Sequence, residues 1–76
     1  MEPLEAFAAN VRRLRQEREL TQERLAELSD LHMTDIARIE TLRRDPGVKV
    51  VAKIAHGLGV STGELMEGVR HGEPRS

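Results

Sequence analysis

Cysteine, tryptophan and tyrosine are absent, and Phe7 is the one aromatic residue in a chain of 76. Without cysteine there can be no disulfide staple, no thiolate nucleophile and no Cys-based zinc site. With a single aromatic ring the core has to come from Leu, Ile, Val and Ala, which suits helix packed on helix better than a pleated sheet. Apolar runs end after a few residues, too short to span a membrane. Residues 1–9 hold two acids and no basic side chain, unlike a secretory leader. His32, His56 and His71 are far apart and have no acidic or histidine partner at ligand spacing, so no metal and no cofactor is expected. No Gly-rich phosphate loop and no nucleophile with its base is present, and the reading is therefore not an enzyme. A reducing, cytoplasmic setting is the default.

What is present is charge, and it is segregated. The net charge is −1, which taken alone speaks against nucleic acid. From Arg38 to Lys53, however, five basic residues (Arg38, Arg43, Arg44, Lys49, Lys53) face two acids (Glu40, Asp45), a local balance of +3. A small domain binds DNA through one face, so the sum decides little.

Apolar spacing predicts helices throughout. Pro3 fits a first helical turn, and Leu4, Phe7, Ala8, Val11 and Leu14 follow at helical intervals up to an end near residues 18–20. Thr21 reads as the N-cap of a second helix with Leu25, Ala26 and Leu28 on its inner face, stopping around Ser29 and Asp30. After a four-residue break, Ser29-Asp30-Leu31-His32, a third helix runs from Met33 to Thr41 with Ile36 and Ile39 turned inward. Asp45-Pro46-Gly47 is a turn signal. Val48, Val51, Ile54, Ala55 and Leu58 mark a fourth helix, with Gly57 and Gly59 as its stop. Ser61-Thr62-Gly63-Glu64 is a capping box opening a short fifth helix with Leu65 and Met66. The reading is an all-α, compact five-helix domain over residues 1–68, with a flexible tail over 69–76.

The informative unit is the pair of short helices between Thr21 and Glu40, joined by a tight turn. Ala26 is small enough to let them cross closely. The outward positions of the second member, His32, Met33, Thr34, Asp35, Ala37 and Arg38, are those a helix lying in the major groove would present to base edges. Thr21-Gln22-Glu23-Arg24-Leu25-Ala26, then Ile36-Ala37-Arg38-Ile39-Glu40, Arg43-Arg44-Asp45-Pro46, Ile54-Ala55 and Leu58-Gly59-Val60-Ser61 resemble the Cro/repressor-type helix-turn-helix family, also called the XRE family. The resemblance covers roughly Val11 to Met66. It implies a lambda-repressor-like fold with the helix-turn-helix in helices 2 and 3, and double-stranded DNA as the partner. The shortness of the chain outside the domain looks like stand-alone members such as restriction–modification controller proteins, small phage repressors and some antitoxins.

The resemblance also implies roles. Gln22, Arg43 and Arg44 match phosphate-contacting positions, and Met33, Thr34 and Arg38 match base-reading positions. A guanidinium at Arg38 can bond a guanine edge with two hydrogen bonds. Met33 reads equally as a base contact or as packing at the core edge. Arg15 and Glu40 match a structural salt bridge between the first and third helices. Three departures stand out: Glu19 and Leu42 occupy positions often filled by glycine, His32 replaces the usual Ser or Thr cap, and Asp35 puts an acid on the reading helix. His32 and Asp35 are counted as further DNA contacts, Asp35 through a cytosine amino group. Arg12, Arg13 and Arg18 read as solvated surface or as i,i+4 partners of acids.

Val60, Leu65, Met66 and Val69 offer more apolar surface than a short terminal segment buries alone, which implies a homodimer interface and hence a palindromic operator. The reading is a sequence-specific transcriptional regulator, repressing or activating, with the transcription machinery as a further partner. The alternative is an antitoxin-like protein-interaction module in which DNA binding is secondary or lost; the few residues after Met66 leave little to wrap a partner.

Overall fold

Each helix begins and ends for a local reason. In the computed structural model, which describes residues 2–69, α1 (Pro3–Glu17) starts on extended Glu2 with proline in its first turn, where the missing N–H is no loss. Its inner face is Ala6, Phe7, Ala8, Val11 and Leu14, all buried. The Thr21 hydroxyl accepts the Arg24 N–H at 2.9 Å and opens α2 (Gln22–Ser29). After α2 comes α3 (Met33–Glu40), which places Ile36 and Ile39 at 0% exposure. Then follow α4 (Val48–Leu58) and α5 (Thr62–Leu65). The Ser61 hydroxyl accepts the Glu64 N–H at 3.0 Å while the Glu64 carboxylate accepts the Ser61 N–H at 3.3 Å, a reciprocal cap on α5. Among the described residues there are five helices and no strand. The expected tail lies, from residue 70 on, outside the described residues, as does His71.

One core joins all five helices. Phe7, Val11 and Leu14 of α1 meet Leu25 and Ala26 of α2, Ile36 and Ile39 of α3, Ile54, Ala55 and Leu58 of α4, and Leu65 of α5. The most extensive pairing is α2 on α4, followed by α2 on α3.

Four positions differ from what the sequence predicts. Leu28 is 37% exposed, and Ser29 takes its place inside. At about 3.6 residues per turn, position 29 falls between 25 and 26 on the helix circumference while 28 falls to one side. Val48 is 88% exposed because it occupies the first turn of α4, ahead of the point where that helix meets the core. Gly57 is not a stop: it lies within α4, and Gly59, at φ 71°, closes the helix. Leu65, expected at a dimer interface, is 0% exposed within its own chain, because the α5 turn folds back onto α1 and α4.

The ends of the helices are tied across the fold by groups with no mark in the sequence. Arg12 Nη2 donates to the Glu40 carbonyl at 2.6 Å and Arg18 Nε to the Leu58 carbonyl at 2.6 Å. Asn10 Nδ2 donates to the carbonyls of Leu65 and Glu67 at 2.9 and 2.8 Å. Each satisfies carbonyls that a helix C-terminus leaves without partners. Arg12 and Arg18 are thus structural clamps, while Arg13 does pair with Glu17 at i,i+4.

Candidate nucleic-acid interface

The helix-turn-helix is α2, the turn at residues 30–32, and α3. Asp30 takes a left-handed conformation at φ 55°, and the Leu31 N–H returns to the Ala26 carbonyl at 2.9 Å, turning the chain sharply into α3. Ile36 and Ile39 anchor α3 from beneath, so His32, Met33, Thr34 and Arg38 stand exposed along its other side, with Met33 at 51%. At the far end Leu42 adopts φ 64° and the Arg43 N–H bonds the Arg38 carbonyl at 2.7 Å. That turn brings the Arg43 backbone to the Arg38 carbonyl. Both side chains are exposed and, among the described residues, neither has an ion-pair or side-chain hydrogen-bond partner.

Behind this surface sits a buried carboxylate. Glu40, 3% exposed, accepts from Arg15 Nε at 2.7 Å and Nη2 at 3.0 Å, and from Gln22 Nε2 at 3.2 Å. The hydrogen bonds that Arg15 donates to Glu40, opposed by burial and aided by the carboxylate's negative charge, hold the Arg15 guanidinium above its ordinary pKa. Removing Arg15 leaves the buried Glu40 carboxylate to Gln22 and to Arg12 Nε at 3.8 Å, and removing Glu40 leaves the Arg15 guanidinium without its counter-charge; either loss is destabilising. The pair locks α1 to α3, and through Gln22 it reaches the first residue of α2. Gln22 Nε2 has a second hydrogen, which has no acceptor among the described residues.

Asp35 and Arg44 are placed differently from the other outward residues. The Asp35 carboxylate accepts the His32 N–H at 3.1 Å through Oδ2 and Arg44 Nη1 through Oδ1. Asp35 is 19% exposed at its side chain and Arg44 36%.

On another side of the fold, Pro3, Leu4, Phe7, Val51, Met66 and Val69 line a cleft of about 420 Å³. Met66 is 36% exposed and Val60 and Val69 are half-buried against the core. With Leu65 inside, these three are the apolar side chains of the C-terminal segment that still face outward. Among the described residues no helix is long and apolar enough to cross a membrane.

Residues 11–65, most of the chain, match the family model described as helix-turn-helix. The chain belongs to the Cro/repressor-type helix-turn-helix family. It is 36% identical over 66 residues to the control protein C.SmaI of Serratia marcescens, spanning 87% of this chain and 79% of that protein. Among solved structures it is similar to the restriction–modification controller protein C.AhdI from Aeromonas hydrophila, with a TM-score of 0.79 and 32% identity, over 82% of this chain and 94% of that one. It is equally similar to the wild-type restriction–modification controller protein C.Esp1396I, with a TM-score of 0.82 and 32% identity, over 91% and 90% of the two chains. Controller proteins are non-enzymatic DNA-binding regulators of transcription. Within that frame α2 and α3 are the two helices of the helix-turn-helix.

Proposed function

We propose that this protein is a sequence-specific transcriptional regulator of the cytoplasm that binds a palindromic operator as a homodimer. One observation carries the reading: α3 is sealed into the core by Ile36 and Ile39 while its opposite side presents Met33, Thr34 and Arg38 to solvent. Arg38 is the main base reader, a guanidinium suited to the O6 and N7 edge of guanine. Thr34 bonds a base or meets a thymine methyl, Met33 touches the groove edge, and His32 lies at the same end. Gln22 and Arg43 take phosphates on either side of the groove, the first aided by the N-terminus of α2.

The dimer rests on Met66 and Val69, which line the cleft with Leu4, Phe7 and Val51, and on the half-buried Val60. A two-fold pair presents two recognition helices about one helical turn apart, ~34 Å, as a palindrome requires. Repression needs only occlusion of a promoter; activation adds a contact with the transcription machinery.

The test is fluorescence anisotropy on the protein's own upstream promoter fragment, with a salt titration and Arg38→Ala alongside. Wild type is expected to bind that fragment well above random DNA, with affinity falling steeply as salt rises. Arg38→Ala is expected to reduce discrimination by about 1–3 kcal/mol, roughly five- to 150-fold. Equal binding to random DNA at physiological salt overturns the reading in favour of a partner-binding module.

A further inference from the structure

We infer that Arg44 does not bind a phosphate but serves as a brace that neutralises and holds Asp35, keeping an acid on the recognition helix compatible with DNA. The inference rests on the proposed function, since it assigns charges within the same surface. Three basic side chains stand in or beside α3, and they are not equivalent. Arg38 and Arg43 are exposed with no side-chain partner among the described residues, whereas Arg44 Nη1 donates to Asp35 Oδ1. The other oxygen of Asp35 accepts the His32 N–H and closes the start of α3, where histidine is a weak cap. Each carboxylate oxygen therefore already has a donor inside the chain, which holds the Asp35 side chain toward His32 and Arg44.

When the protein is on DNA, Arg44 has two possible partners, a phosphate or Asp35. If Arg44 swings to a phosphate, one charge pair is exchanged for another. Asp35 is then left without its cation against the polyanionic duplex while water is being excluded, a repulsion that the intact pair avoids. If Arg44 stays, the pair is neutral toward DNA and ties the loop of residues 41–47 to the first turn of α3. The loop is then set so that Arg43, and not Arg44, meets the backbone. Asp35 acts in turn as a specificity device. Freed from it, Arg44 becomes one more phosphate cation, which tightens binding to every sequence alike.

The experiment compares Arg44→Ala, Asp35→Asn, the double variant and Arg38→Ala on operator and random DNA across salt. Asparagine retains an oxygen for the His32 N–H, so the cap survives the substitution. Arg44→Ala is expected to weaken operator binding about tenfold with the salt slope unchanged, because an anion is exposed and no phosphate contact is lost. Adding Asp35→Asn to it is expected to restore most of that affinity. Asp35→Asn alone is expected to raise affinity for random DNA and steepen the salt slope by about one phosphate. In the free protein the two substitutions are expected to shift Tm non-additively, as contacting partners do. A double variant as weak as Arg44→Ala, with a slope reduced by about one, makes Arg44 a phosphate contact and overturns the inference while leaving the proposed function standing. Additive Tm shifts overturn the brace independently of DNA. Binding insensitive to Arg38→Ala overturns the proposed function, and with it this inference.

Discussion

Glu19 and Leu42 close α1 and α3 at φ 54° and 64°, where a side chain with a Cβ is crowded by its own carbonyl. Glycine relieves that strain, worth roughly 1–2 kcal/mol, and gives back about half of it through the freedom of the unfolded chain. Glu19 is exposed and makes no side-chain hydrogen bond among the described residues, so nothing else is lost with it. Glu19→Gly is therefore expected to stabilise by about 0.5–1 kcal/mol, a rise in Tm of a few degrees for a domain this size. A fall in Tm on thermal unfolding would refute the strain argument. Leu42→Gly gains less, since Leu42 is only 43% exposed and loses partial burial beside Ala8 and Ala9. Both positions were legible in advance because the family pattern has glycine where they stand. The third left-handed residue, Asp30, was not, for Asp tolerates that conformation and leaves no anomaly in the pattern. The clamps Asn10, Arg12 and Arg18 were equally silent. Their acceptors are backbone carbonyls, and Arg18 reaches one 40 residues away.

At the scale of elements, Gly57 shows where periodicity stops being informative. An internal helical glycine replaced by alanine normally gains about 1 kcal/mol. Here a Cβ would collide with Ser29 Oγ and sit 3.1 Å from the Ser29 nitrogen and 3.2 Å from the Leu28 carbonyl carbon. The hydroxyl can turn aside, but the α2 backbone cannot without moving the helix that opens the helix-turn-helix. Gly57→Ala is expected to reverse the usual sign and destabilise by about 1–3 kcal/mol, read as a lower urea midpoint at unchanged m-value. A midpoint equal to or above wild type would mean that α2 and α4 are loosely packed. The number, order and boundaries of the helices were readable from caps and apolar spacing. Whether a glycine ends a helix or admits a neighbour was not, because that depends on the crossing of α2 and α4. Ser29 displacing Leu28 has the same origin. Arg15 with Glu40 entered through the family pattern, whereas Asp35 with Arg44 depends on how the 41–47 loop folds back, which no spacing encodes.

At the scale of the whole molecule, the proposed dimer depends on where two copies would meet. A net charge of −1 gives no long-range repulsion to overcome, so a modest apolar patch can drive pairing. Leu65 cannot contribute directly: it is fully inside, and Leu65→Ala would lower the stability of each chain by about 2–5 kcal/mol whether or not a dimer forms. Met66 separates the two effects, since it is 36% exposed at the rim of the cleft that Phe7, Val51 and Val69 help to line. Met66→Glu places a charge where an apolar patch would be covered in a dimer, yet in a monomer that charge stays in water. The expected result is a monomer by sedimentation at micromolar concentrations, where wild type is a dimer, with the helical signal intact. Dimer-linked folding also makes the wild-type Tm rise with concentration, and Met66→Glu should remove that dependence. Operator binding by the variant should lose its steep concentration dependence, because one recognition helix then binds each half-site alone. A variant that sediments and binds like wild type would move the interface away from Val60, Met66 and Val69, leaving the recognition helix and its charges untouched.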